Sequence, residues 1–147
     1  VKTLTKADIL RTSKQSEEVQ IEGLKGTILL RPVTDGEYQY AKNIVLKAVS
    51  AGADLDTLVK SMQDQKEQTG AVTLEGMKIN LDMGSLTEAE FESKIYLVSR
   101  SLSVNEKWSP EDVKKISPVG VVDKIAAKVY EISNISESME DLISYFR

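Results

Sequence analysis

At five places in this chain a Ser or Thr stands three residues ahead of an acidic side chain, at the head of a run of periodic apolar residues. The pairs are Thr5–Asp8, Thr34–Glu37, Thr87–Glu90, Ser109–Asp112 and Ser138–Asp141. This is the spacing at which a hydroxyl takes the orphan N–H of a helix's first turn while the acid reaches back to the capping residue. A chain punctuated in this way commits most of its length to short helices.

The runs behind these signals have helical period. Ala41, Ile44, Val45 and Ala48 follow Thr34, giving an amphipathic helix over about 35–50 that Gly52 stops. Phe91, Ile95, Val98 and Leu102 follow Thr87 as a stripe that must face a core. Ser109 with Pro110 at the first helical position opens a short helix, and Ser117-Pro118 repeats the device. It launches a helix over 118–133 whose Val122, Ile125, Ala126, Val129 and Ile132 share one face. Residues 54–69 form a further helix with Leu55, Leu58, Val59 and Met62 on one stripe, its polar second half projecting into solvent. Ser138 caps a last helix that aligns Met139, Leu142, Ile143 and Phe146.

Strand period appears at the start of the chain and again over 70–85, where Val72 and Leu74, then Met77, Ile79, Leu81 and Met83, alternate. Val19 and Ile21 alternate with Gln20 and Glu22, Gly23 and Gly26 supply a turn, and Thr27–Val33 returns. Pro32 has no N–H for a ladder, so it belongs at an edge or at the strand's end. Residues 70–85 form a small hairpin about Glu75-Gly76 or a loop. The expected fold is α+β and predominantly α, a small N-terminal β-hairpin packed on a bundle of four to five helices. One domain spans 1–147, with 53–85 an acidic insertion or flexible segment within it.

Composition narrows the chemistry. There is no histidine and no cysteine, which removes the side chain that titrates near neutral pH, the usual zinc ligands and the thiol nucleophile. No catalytic residue, cofactor or metal site is expected. The net charge is −4, and residues 53–92 carry nine acidic against three basic groups. No basic stripe compensates, so nucleic acid is disfavoured as a partner. No apolar run reaches the roughly 20 residues that span a bilayer, and VKTLTKADIL lacks the apolar stretch of a signal peptide. The expected location is the cytoplasm.

Individual motifs resolve to structural readings. Asn80–Gly84 resembles a calcium loop only in part, because Ser85 and Phe91 stand where the loop needs Gly and Glu. Gly23-Leu-Lys-Gly26 lacks the ending of a phosphate loop. Glu88, Glu90 and Glu92 read as a solvated cluster at a helix N-terminus, where negative charge is favoured. Lys114-Lys115 before a second helix suggests a helix-turn-helix, but Asp123, Lys124 and Lys128 make a poor reading face. Trp108 reads as a packing anchor. The stripes Leu55, Leu58, Met62 and Met139, Leu142, Ile143, Phe146 are the candidate partner-binding residues. The second either closes the protein's own bundle or enters a partner's groove.

The order of elements carries one resemblance. A short helix at Lys6–Leu10 precedes a strand pair ending Leu29-Leu-Arg-Pro-Val-Thr-Asp-Gly-Glu37, then a helix. The far end reads Ser109-Pro-Glu-Asp-Val-Lys-Lys-Ile116, then Val122-Asp-Lys-Ile-Ala-Ala-Lys-Val-Tyr-Glu-Ile-Ser-Asn-Ile135. Over roughly 5–50 and 88–136 this resembles the tail assembly chaperones of long-tailed phages and prophages. In these an R-x-L/V-T/S-x-x-E segment leads from hairpin to helix, and a helix ending I-x-x-I-S-x-L/I comes last. The resemblance implies a non-enzymatic protein of the host-cell cytoplasm that binds tape-measure and tail-tube proteins; it leaves self-association open and transfers no catalytic residue. Two other readings are a small regulatory or DNA-binding protein of a mobile element and a secretion-type chaperone.

Overall fold

The computed structural model describes residues 2–12, 15–52 and 83–136. Their order is α1 (Lys6–Thr12), β1 (Glu17–Gln20), β2 (Thr27–Leu30), α2 (Asp35–Gly52), α3 (Met83–Leu102), α4 (Pro110–Lys114) and α5 (Val121–Ile132). The architecture is α+β and mostly helical, with one antiparallel hairpin, as the periodicities imply. The expected helix at 54–69, the segment 70–82 and the helix behind Ser138 lie outside the described residues.

The chain divides into two compact units. One comprises residues 1–41 and 94–136, the other 42–93 and 137–147. The first holds the hairpin, α1, α4, α5 and the C-terminal half of α3. In the described parts of the second, Val45, Val49, Leu86 and Ala89 are buried.

The hairpin pairs Val19 with Ile28 and Gln20 with Thr27 across a turn whose Gly23 and Gly26 both take positive φ. Period-two alternation sends Ile21 and Leu30 into the first unit's core. The return strand is shorter than its sequence suggests, ending at Leu30 rather than Val33. Beyond it the backbone leaves β1 for α3. The Arg31 N–H donates to Ser101 O at 2.9 Å, and the Ser101 hydroxyl donates back to Arg31 O at 2.7 Å. Pro32 falls past the strand's end, where its missing N–H costs no ladder bond.

Against the hairpin pack Ile95, Val98 and Leu102 of α3, Val113 of α4, and Val121, Ile125, Ala126 and Val129 of α5. Trp108 is half-buried against this cluster, and its backbone N–H donates to the Ser103 hydroxyl, so it anchors the entry to α4. Phe91 does not join the stripe. The contribution of α3 to this cluster begins at Ile95, and Phe91, one turn earlier, is 43% exposed.

The helix starts vary in kind. Thr5 and Asp8 exchange the two bonds of a capping box ahead of α1, and Ser109 and Asp112 do the same at α4. Thr87 does not stand at a helix start, because α3 already begins at Met83. Inside a helix the N–H three residues on is committed to the backbone ladder, and burial of Leu86 and Ala89 carries the helix back past Gly84. Glu88, Glu90 and Glu92 therefore lie within α3 rather than at its N-terminus. Nor does Ser117 cap α5. The Ser117–Pro118 peptide is cis, and Gly120, at φ 100°, is the capping position without a side-chain bond. At its other end α5 closes on Asn134 in the left-handed region (φ 57°), with Ile135 N–H on Tyr130 O and Asn134 N–H on Glu131 O. That pair of bonds is a Schellman closure.

Candidate functional site

A largely buried charged cluster lies where three segments of the first unit meet: the end of β2, the start of α2 and the end of α3. Thr34 and Glu37 form the capping box their spacing implies, with Thr34 N–H donating to Glu37 Oε1 at 3.0 Å and Glu37 N–H to the Thr34 hydroxyl at 3.2 Å. The same carboxylate accepts a forked pair from Arg31, NH1 to Oε1 at 2.9 Å and NH2 to Oε2 at 2.8 Å. Arg100 adds a bond from Nε to Oε2. Each Glu37 oxygen thus accepts two hydrogen bonds, which saturates the carboxylate.

Burial by itself would raise the Glu37 pKa. The bonds from Arg31, Arg100 and the Thr34 N–H, with the charge of Arg31, outweigh it and bring the value to about 2. The same bond raises the pKa of Arg100. Tyr96, whose ring lies 4.5 Å from that of Tyr40 at a tilt of 39°, has its hydroxyl pKa pushed up, first by burial and then by the Glu37 charge.

Arg31, Glu37 and Arg100 line a cleft of about 540 Å³ with Leu10, Thr34, Ser103 and Val104. Arg31 and Glu37 are largely covered, with 16% and 11% of their side chains exposed, whereas Arg100 keeps 44%. Glu37 stays ionised across the neutral range and an arginine gives up no proton, so the cluster is poorly suited to acid–base chemistry. It can hold charge, shape and polar contacts in place.

The sequence identified Thr34 and Glu37 as a cap only. Arg31 had a readable signal, since it sits in the Arg–Pro–Val–Thr–x–x–Glu segment, but its pairing did not follow from the capping rule. Arg100, 63 residues from Glu37, had none. Leu55, Leu58, Met62, Met139, Leu142, Ile143 and Phe146, the candidate partner-binding side chains, lie outside the described residues. Exposed apolar side chains stand at and just before α1, where Leu4, Ile9 and Leu10 are 59%, 56% and 50% exposed, Leu10 at the cleft itself, and Val119 is fully exposed.

Among the described residues no three His, Cys, Asp or Glu side chains gather as they would around a metal ion. No helix among them is long and apolar enough to cross a membrane. Comparison with known proteins finds no matching family model, no matching curated protein and no matching solved structure.

Proposed function

We propose that this chain is a non-enzymatic binding protein of the tail-assembly-chaperone kind, covering segments of tape-measure and tail-tube proteins in the host-cell cytoplasm. The observation that carries the reading is the apolar surface at α1, where Leu4, Ile9 and Leu10 are each at least half exposed. Three such side chains within seven positions suit a surface that meets another polypeptide. Two further features support it. The Arg31-to-Glu37 segment on which the resemblance rests works as one bonded unit. The best-placed carboxylate is also clamped by two guanidiniums, which suits an architectural role better than proton transfer.

The test is co-expression with a long helical tail protein and a tube protein encoded beside this gene, followed by size-exclusion chromatography. Co-elution with either is expected, and Ile9→Asp or Leu142→Asp should abolish it. Failure of both proteins to co-elute, or retention of the chain on a DNA column with steep salt dependence, overturns the reading.

A further inference from the structure

We propose that the cleft at Arg31, Arg100 and Leu10 is a recognition site for a carboxylate carried next to an apolar side chain on a partner polypeptide. The inference rests on the reading that the chain binds proteins, and it names the chemistry one site selects.

The argument begins with unused donors. A guanidinium has two edges able to hold a carboxylate in a fork: one contains Nε, the other is formed by the two terminal nitrogens. Arg100 spends Nε on Glu37 Oε2, and its terminal nitrogens have no partner among the described residues, although 44% of the side chain reaches solvent. Glu37 cannot satisfy them, because both of its oxygens already accept two bonds. Two guanidiniums against one carboxylate leave the cluster one positive charge in excess, and no other charged side chain is among the described lining residues. The Glu37 clamp also fixes the Arg100 fork before any ligand arrives, which lowers the ordering cost of binding.

The rest of the lining defines the company the anion keeps. Ser103 and Thr34 offer hydroxyls, while Leu10 and Val104 offer apolar walls. Leu10 is half exposed at the rim. One positive charge matches a carboxylate better than a phosphate dianion, which would face Glu37 with its second charge. The acidic whole, at −4, makes this basic cleft a local exception that an acidic–apolar stretch would seek out.

The experiment uses the full chain, labelled with ¹⁵N, and titrates Ac-Leu-Glu-Leu-NH2, Ac-Leu-Gln-Leu-NH2, sodium acetate and inorganic phosphate while following the Arg100 Nε–H signal and the Ser103 and Val104 amides. The glutamate peptide should shift all three signals. The glutamine peptide should bind at least about fivefold more weakly, as expected for loss of a charge-assisted fork. Arg100→Gln should abolish the difference between the peptides. Arg100→Lys keeps a cation beside Glu37 but loses the fork, so it should weaken the glutamate peptide while remaining folded by circular dichroism. Leu10→Glu, at an exposed rim position, should also weaken it. Equal binding of the two peptides, tighter binding of phosphate than of the glutamate peptide, or silence of the Arg100 signal overturns the proposal. Co-elution with a tail protein that Arg100→Lys leaves unchanged overturns it too, while the protein-binding reading stands. Peptide binding with no tail partner overturns that reading and leaves the site.

Discussion

Glu37 is the residue on which the first unit's polar structure turns. Its carboxylate caps α2, holds Arg31 in a fork and ties Arg100 of α3 to both. Its pKa falls from an ordinary 4.5 to about 2 in the folded chain. The depressed value means the folded state favours the ionised form. The stabilisation is therefore complete above about pH 4.5 and drains away as pH falls toward 2, amounting to roughly 2–3 kcal/mol. Urea unfolding across that window should show the loss. Glu37→Gln should flatten this part of the acid limb, leaving the slope due to Asp8 and Asp112, whose pKa values are also lowered, chiefly by backbone hydrogen bonds from Thr5 and Ser109. At pH 7 the same substitution should cost about 3 kcal/mol, because it strands two cations that share one counter-charge. An unchanged midpoint in urea at pH 7 would show the clamp to be ornamental.

Among the elements, the hairpin turn and the entry to α5 separate two sources of glycine requirement. Gly23 and Gly120 have nearly the same φ, 101° and 100°. A Cβ at Gly23 would sit 3.2 Å from Val121 Cγ2, whereas one at Gly120 would meet nothing within 4 Å. Gly120→Ala should cost about 1 kcal/mol through backbone strain alone. Gly23→Ala should cost more, and the difference between the two unfolding free energies measures the Val121 contact. Equal costs would show that this contact relaxes freely. The elements also mark how far sequence could be read. Thr5–Asp8, Thr34–Glu37 and Ser109–Asp112 were legible because both partners of each bond lie within one turn. Thr87 stands in the same spacing to Glu90, and Ser117 precedes a proline as Ser109 does, yet burial of Leu86 and the turn through Gly120 moved the helix starts elsewhere. Phe91 failed for a related reason: periodicity assigns it a face but not whether anything packs there. The pairing of Arg100 with Glu37 depends on how α3 meets the hairpin, which no local window contains.

For the molecule as a whole, the first unit is assembled from sequence-distant pieces, residues 1–41 and 94–136. Ile21 and Leu30 from the hairpin share one apolar cluster with Ile125 and Val129 from α5, so neither half has this core by itself. Ile125 is 1% exposed, and Ile125→Ala should cost about 3 kcal/mol. Because Trp108 is packed on the same cluster, its fluorescence should report the same shifted midpoint as helix content by circular dichroism. Two separated midpoints would mean that hairpin and α5 do not unfold together. At this scale the fold class was legible, since helix and strand periods are carried by apolar residues throughout. The candidate surfaces at 54–62 and 139–146 were legible as stripes only, and the cleft was not legible, because its described lining is drawn from three separate stretches of chain, at 10, 31–37 and 100–104.

The saturated carboxylate also bears on how such a sequence can drift. An exchange at position 37 for a neutral residue leaves two guanidiniums facing each other, and an exchange at 31 or 100 strips a partner from an acid already withdrawn from water. Descendants of this chain should therefore keep or surrender positions 31, 37 and 100 as a trio, with the spacing from 31 to 37 held at six.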